Sequence, residues 1–195
     1  MRKITVSEFV SLDGVMQAPG GAEEDTDGGF AHGGWTFPYW HDDIGANILQ
    51  ELNQADTLLL GRRTWQGHAE AFEPAPADDP FAGLLNGLRK YVVSTTLKSA
   101  DAWRNSTIIS ENVVDEVRKL KEQPGKDIHV DGSSVLVHTL AQADLVDEYQ
   151  LLVFPIVLGS GKRVFPDGFS SGLKLIETKT FPSGVILLRY QPDRK

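Results

Sequence analysis

The chain alternates between short apolar segments with strand character and longer segments with helical periodicity. Strands are predicted at residues 3–10, 57–60, 91–94, 107–109, 127–130 and 148–158, with helices after the first, fourth and fifth of them. Pro182-Ser183-Gly184 predicts the turn of a final hairpin formed by residues 173–181 and 185–191. Because parallel strands are joined by crossover helices, this order predicts an α/β fold: a doubly wound, mostly parallel sheet with antiparallel C-terminal strands. No repeat or change in composition marks a linker, so residues 1–195 are predicted to form one domain.

The starts of two predicted helices are marked by residues that typically cap helices. Asn112 precedes residues 113–122, which carry acidic side chains in the first turn and basic ones in the last. Asp42 and Asp43 are predicted to cap a helix whose apolar residues recur at helical spacing.

Composition excludes several classes of protein. Cysteine is absent, which excludes disulfide scaffolds and thiolate metal sites, and the five histidines have no metal-binding spacing. A net charge of −8 argues against nucleic-acid binding. The longest apolar run covers only residues 151–158, so no membrane span is predicted and a cytoplasmic protein is expected.

Charge is distributed unevenly along the chain. Residues 4–61 contain no lysine or arginine, and the first basic residues after this gap are the adjacent Arg62 and Arg63. One interpretation is a solvated acidic face beside a mixed one. The other is that an anionic ligand binds to the later part of the chain, and composition alone leaves both open.

Three turns at predicted strand ends have the composition of phosphate-binding turns. In a parallel sheet, ligands gather beyond the carboxyl ends of the strands, where helix starts offer free amides. The turns are Gly61-Arg62-Arg63-Thr64, Ser94-Thr95-Thr96 and Gly132-Ser133-Ser134. Each alone is equally compatible with an ordinary turn, but three in order predict a site for a dinucleotide.

Residues 17–40 form a long connection that contains six glycines and five aromatic residues. Loops of this length in compact domains commonly act as lids or binding loops. Trp35, Phe37 and Trp40 are therefore candidate substrate-binding residues. Packing of the same loop against a partner subunit is an equal alternative.

The ordered set of these motifs resembles the dihydrofolate reductase superfamily. The motifs are Ser11-Leu12-Asp13-Gly14, Gly61-Arg62-Arg63-Thr64-Trp65, Val92-Val93-Ser94 and Gly132-Ser133. Residues 145–149 and 155–165 are similar to the reductase domain of bacterial riboflavin biosynthesis, the RibD C-terminal domain.

This resemblance implies an NADPH-binding domain that often forms a homodimer. By position, Arg62 and Arg63 would lie near the adenosine 2′-phosphate, with Arg62 the better match. The other implied cofactor contacts are Gly14 at the nicotinamide, Gly61, Thr64, Gly132, Ser133 and Ser134 at the pyrophosphate, and Ser94 and Thr95 at the adenosine. Residues 159–162 would shape the pocket or the dimer edge. Asp131 replaces a small residue of many relatives, and its carboxylate is expected to point away from the phosphate.

The expected chemistry is hydride transfer to a C=N or C=O bond of a small-molecule substrate, and a pterin- or pyrimidine-like heterocycle is the expected class. Asp42 and Asp43 are candidate proton donors, Asp13 is a further one, and water is the alternative. The main rival function is a non-catalytic, homodimeric module that binds NADPH or a flavin.

Overall fold

The computed structural model describes residues 1–76 and 78–194. The strands are β1 (Ile4–Ser11), β2 (Ala55–Gly61), β3 (Arg89–Val93), β4 (Ser106–Ile109), β5 (Asp127–Val130), β6 (Glu148–Phe154), β7 (Leu173–Thr180) and β8 (Ile186–Pro192). The helices are α1 (Asp42–Leu52), α2 (Arg62–Phe72), α3 (Pro80–Gly87), α4 (Val113–Glu122) and α5 (Ser134–Gln142).

The eight strands form one sheet in the order β4-β3-β2-β5-β1-β6-β8-β7. Strands β1 to β6 pair in parallel, and β8 and β7 add to the edge as an antiparallel hairpin. The predicted α/β class and mostly parallel sheet are confirmed. Strand β5 lies between β2 and β1, so the carboxyl ends of these three strands are adjacent.

Both faces of the sheet are buried at its centre, as β2 illustrates, whereas the edge strand β7 is largely exposed. Leu58 and Leu60 point to one face, where they pack in a cluster with Trp65 of α2. Leu59 points to the other face, into the cluster formed with α4 and α5. This alternation explains why β2 reads as a continuous apolar run rather than an alternating one.

A third cluster packs the long connection between β1 and α1 against the sheet. It includes Phe30 and Trp35 from the connection, Ile44 of α1 and Phe154 of β6. These contacts fix the connection to the body of the protein and place it beside the carboxyl ends of the strands.

Four local predictions are corrected by the structure. The strand predicted over residues 148–158 ends at Phe154, because Pro155 has no N–H to donate to the ladder. Asp42 and Asp43 lie in the first turn of α1 and do not cap it; His41 is the cap, and its Nδ1 accepts a hydrogen bond from the Asp43 amide at 3.2 Å. Asn112 is left-handed at φ 50° and makes no side-chain cap. Helices α2 and α3 were not predicted.

Among the described residues, no helix is both long enough and apolar enough to cross a bilayer.

Candidate functional site

Two of the predicted phosphate-binding turns touch each other. The Gly61 amide at the end of β2 donates to the carbonyl oxygen of Gly132 after β5, with an N–O distance of 3.2 Å. A Cβ atom on Gly61 would overlap the Ser133 hydroxyl, and one on Gly132 would lie 2.8 Å from Thr64 Oγ1. A side chain at Gly61 would therefore collide with Ser133 and one at Gly132 with Thr64, and Gly132 also adopts φ +73°, which favours glycine.

Each of these turns leads directly into a helix. Gly61 is the N-cap of α2 and Ser133 is the N-cap of α5, and neither start has a side-chain cap among the described residues. The first-turn amides of both helices are therefore available at one place, and both helix dipoles favour an anion there. This arrangement is suited to a phosphate or pyrophosphate group.

The two predicted phosphate-binding arginines have different partners. Arg62 reaches only along its own helix, where Nη1 donates to Gln66 Oε1 at 3.0 Å. Arg63 pairs with Asp25 and Asp27 of the connection after β1, with 3.0 Å to Asp25 Oδ1. Arg62 therefore has no competing carboxylate among its described partners, whereas Arg63 does.

The contacts of Arg63 belong to a larger group, which we call the acidic latch: Asp25, Asp27, Arg63 and Lys162. Lys162 Nζ lies 3.0 Å from Asp27 Oδ2 and also pairs with Asp25. The nearby Arg63 guanidinium, and then Lys162, lower the pKa of Asp27 to about 2. The acidic latch thus ties the long connection to the start of α2 and to the segment after β6.

The buried side chain of Gln17 forms hydrogen bonds with the backbone of both segments that the acidic latch joins. Gln17 Nε2 donates to the carbonyl oxygens of Asp25 and Asp27, both at 3.0 Å, and Gln17 Oε1 accepts from the Lys162 amide at 3.0 Å. These bonds fix the backbone on both sides of the latch.

The third predicted turn, at Ser94, lies beside the start of α2. The β2–β3 register pairs Gly61 with Val93, so Ser94 follows at the same edge of the sheet. Ser94 is buried, and its Oγ accepts from the amides of Thr96 and Leu97 at 3.2 and 3.0 Å. It holds the turn, while the neighbouring Thr95 is exposed.

Asp13 and Gly14 form a tight turn at the end of β1. Asp13 accepts hydrogen bonds from the Ser11 hydroxyl at 2.7 Å and from the amides of Leu158 and Gly159 at 3.1 and 2.8 Å. The Ser11 bond first, with help from the two amides, lowers the pKa of Asp13 to about 2. A carboxylate held ionised in this way is a poor proton donor, so Asp13 serves here to join two segments. Gly14 adopts φ +85°, which favours glycine.

The three candidate substrate-binding aromatic residues separate into two kinds. Trp35 is buried; its indole N–H donates to the Gln17 carbonyl at 2.8 Å and its ring packs edge-on to Phe154. Phe37 is 63% exposed and Trp40 is 43% exposed, with the Trp40 ring edge-on to Phe9 at 6.3 Å. Trp35 therefore anchors the connection, and Phe37 and Trp40 remain open to a ligand.

Asp42 and Asp43, the other candidate proton donors, are exposed in the first turn of α1. Asp43 Oδ2 lies 3.4 Å from His41 Nδ1. Their position favours the start of α1 electrostatically. Their described contacts leave both carboxylates accessible to solvent.

Sequence reasoning missed a group of buried ionisable residues beside the two glycine turns. Glu8 of β1 is buried, and its Oε1 accepts from the Gly132 amide at 2.8 Å. His68 of α2 pairs with Asp131 at 2.7 Å from Nε2 to Oδ2. The only sequence signal for Glu8 was a charged residue inside an otherwise buried strand.

The charges of this group are set by burial and by each other. Burial, and next the charge of Asp131, raise the pKa of Glu8 well above its usual range, which favours its neutral form. Burial alone would lower the pKa of His68, but the bond to Asp131 outweighs it and raises that pKa. The Asp131 carboxylate is directed at His68.

The sequence similarity to known proteins extends over nearly the whole chain. The chain is 33% identical over 193 residues to the uncharacterized protein YyaP of Bacillus subtilis, covering 97% of this chain and 94% of that protein. It is 28% identical over 194 residues to the uncharacterized protein YwjB of the same organism, covering 95% and 96%.

Solved structures with low sequence identity have the same fold. A putative riboflavin biosynthesis protein from Shewanella sp. PV-4 has a TM-score of 0.74 at 20% identity, covering 98% of this chain and 99% of the other. A pyrimidine reductase-like protein from Corynebacterium diphtheriae has a TM-score of 0.66 at 15% identity, covering 100% and 93%. Dihydrofolate reductase from Enterococcus faecalis, complexed with NADP(H), has a TM-score of 0.63 at 15% identity, covering 98% and 97%.

The family comparison agrees with the turns described above. The RibD C-terminal domain matches residues 2–187, which include every strand-end turn of the site. The chain belongs to the RibD C-terminal domain family, and its fold is that of dihydrofolate reductase.

Proposed function

We propose that this protein is an NADPH-dependent reductase that transfers a hydride to a C=N or C=O bond of a small heterocycle of the pterin or pyrimidine kind. We further propose that it acts as a homodimer of single-domain chains. The contact between Gly61 and Gly132 carries the proposal, since it brings two uncapped helix starts together beside Arg62. Family membership supports a reductase-type fold.

The residues of the two turns fit the phosphates of such a cofactor. The first-turn amides of α2 and α5, with the Thr64 and Ser133 hydroxyls, would bind the pyrophosphate. Arg62 would bind the 2′-phosphate, because a guanidinium binds phosphate oxygens in a two-point fashion. When bound, the nicotinamide supplies the hydride.

The long connection would border the reacting end of the site. Gly14 would allow the backbone to approach the nicotinamide, and Phe37 and Trp40 would cover a planar substrate and exclude water. Asp42 or Asp43 would deliver the proton that the reduced product needs, with water as the alternative donor.

The test compares two glycine variants in the same region. Gly61→Ala places a methyl group against Ser133, whereas Gly67→Ala, inside α2, meets no atom within 4 Å and serves as the control. NADPH binding is measured by fluorescence titration. The wild-type protein and Gly67→Ala should bind NADPH, and the affinity of Gly61→Ala for NADPH should be strongly reduced. NADPH oxidation is then measured over a panel of pterins, pyrimidines and carbonyl compounds.

The outcomes separate the proposal from its rival. No binding of NADPH at millimolar concentration would refute the cofactor assignment. Tight binding without oxidation of any panel member would favour a non-catalytic module, a function that the burial of Trp35 and Phe30 within the connection also supports. Binding of a flavin in place of NADPH would identify that module as a flavin carrier.

A further inference from the structure

A concave region lies at the amino ends of the parallel strands, whereas the glycine turns lie at the carboxyl ends. It is a cavity of about 320 Å³ between the last turn of α1 and the amino ends of β1, β5 and β6. Its lining includes Thr5, Glu51, His129, Glu148, Gln150 and Arg189. A volume of this size is at the lower end of small-molecule sites.

Part of the polar lining is buried, although the cavity opens beside the exposed Lys3 and Gln54. Thr5, His129, Glu148 and Gln150 are each at most 9% exposed. Burying such groups is costly unless they are paired, so these four side chains at the inner end of the cavity require a reason.

The charged groups of the cavity leave an excess of negative charge. Arg189 is bound by three carboxylates, with distances of 2.9 Å to Glu51, 3.1 Å to Glu148 and 2.9 Å to Glu177. Glu177 lies outside the cavity lining, so within the cavity one guanidinium faces two carboxylates, Glu51 and Glu148, and leaves one negative charge unbalanced. Lys3 and Asp127, which also line the cavity, balance each other.

The hydrogen-bonding groups that remain free are acceptors. Gln150 Nε2 donates to Glu51 Oε2 at 2.9 Å and to Glu148 Oε1 at 3.1 Å, which uses both of its N–H groups. Its Oε1 is buried and has no partner among the described residues. The His129 ring makes no hydrogen bond within the part of the chain that the structure describes, and burial lowers its pKa, which favours the neutral ring with one acceptor nitrogen.

We propose that this cavity is a binding site for a small organic cation rich in N–H donors, of the primary ammonium or guanidinium class. The excess carboxylate charge of Glu51 and Glu148 would attract the cation, and Gln150 Oε1 and the His129 ring would accept its hydrogen bonds. Nothing in this assignment uses the glycine turns, so it stands or falls independently of the proposed reductase activity.

The experiment uses agmatine, which carries both ammonium and guanidinium groups, as the probe for the full-length protein. Calorimetric titration should show saturable 1:1 binding and a concentration-dependent rise in Tm. Tetramethylammonium, a cation without N–H donors, should not bind, and neither should acetate. Potassium chloride at equal ionic strength controls for screening.

Two isosteric variants locate the site. Glu51→Gln and Glu148→Gln should each weaken agmatine about tenfold or more, as expected for loss of a charge-assisted hydrogen bond. Glu111→Gln, on the exposed surface, should bind like the wild type. If one cavity variant does not fold, the other still tests the assignment.

Imidazole nitrogen resonances provide a second readout that binding elsewhere would not move. Those of His129 should shift in step with agmatine binding, while those of the exposed His32 should not. No saturable binding, equal binding by the cavity variants and the wild type, or a Tm rise that leaves the His129 resonances unmoved would each overturn the proposal. In the last case the cation binds outside the cavity.

Discussion

Asp25, in the connection between β1 and α1, is joined to Arg63, on the first turn of α2, by an ion pair of 3.0 Å. The connection that covers the proposed substrate region is therefore tied to the helix whose start would bind phosphate. A phosphate that approaches Arg63 must compete with this carboxylate. We infer that ligand binding and the position of the connection depend on each other.

Removing the carboxylates of the acidic latch should release the connection. In the double variant Asp25→Asn, Asp27→Asn, amide hydrogen exchange over residues 17–40 should become severalfold faster, because Arg63 and Lys162 lose their charged partners. The exchange of β1 and β5 should stay unchanged. Glu23→Gln, in the same exposed segment, is the control. Equal exchange in the double variant and the wild type would mean that Gln17 and the apolar cluster around Trp35 hold the connection without the acidic latch.

Arg62→Ala should distinguish the two nicotinamide cofactors. Because Arg62 is proposed to bind the 2′-phosphate, its loss should weaken NADPH by about 1.5–3 kcal/mol and leave NADH nearly unaffected. Paired fluorescence titrations measure the difference. Arg118→Ala removes an exposed arginine of α4 and should change neither affinity. An equal loss for both cofactors would contradict the 2′-phosphate role.

The proton-donor role of Asp42 and Asp43 predicts a specific change in pH dependence. The Asn variant of the residue that acts should lower turnover and flatten the pH profile of the reduction, while NADPH affinity stays the same. Steady-state rates across the pH range, with cofactor titrations at each end, test this. An unchanged profile in both variants would leave water as the donor and both residues as stabilisers of α1.

Asp13 should contribute stability that disappears in acid. Its pKa is about 2 in the folded protein and near 3.8 in the unfolded chain, so its contribution is fully present above pH 3.8 and is lost as the pH falls toward 2. Asp13→Asn removes it, because an amide N–H group cannot accept from the Gly159 amide. Urea unfolding at neutral pH should show a less stable variant, and the gap should narrow toward pH 2. A constant gap would indicate a purely steric effect.

Lys90 should also make stability rise with pH, but at the alkaline end of the range. It is fully buried, and its Nζ donates to the carbonyls of Asn86, Leu88 and Arg104. Burial lowers its pKa from 10.5 to about 8, so between these values the unfolded chain binds the extra proton and stability rises with pH. The free energy of unfolding in urea, measured for the wild type and Lys90→Met at pH 8 and 10, isolates the contribution of Lys90 to the pH dependence. An equal pH effect in both proteins would contradict it.

Local sequence signals sufficed wherever an element carried its own boundaries. Helix α4 was predicted at its observed bounds, because its charges and the Pro124-Gly125 stop are adjacent in sequence. Strand β5 was predicted over its observed residues for the same reason: apolar residues 128 and 130 are followed by a glycine turn. Helix α2 was overlooked because its first three residues belong to a sequence with the composition of a phosphate-binding turn, and in the structure they are the start of the helix itself.

Contacts between distant segments explain what the sequence did not reveal. The role of Glu8 depends on the amide of Gly132, and that of Asp25 on Arg63 and Lys162, so no local pattern indicates either. The same is true of Trp35, whose aromatic character fits a lid as well as a core. Trp35 is buried because it packs against Phe154, and the sequence alone does not show that these two residues are in contact.

The position of β5 between β2 and β1 determines when the fold can be completed during synthesis. A nascent chain that has emerged only as far as α4 possesses β2, β3 and β4 as a continuous ribbon, but both neighbours of β1 are still missing. Strand β1 therefore has no strand to pair with until β5 has been synthesised. The proposed nucleotide site would therefore be completed only after the segment beginning at Asp127 has been synthesised, because β5 joins the two portions of the sheet.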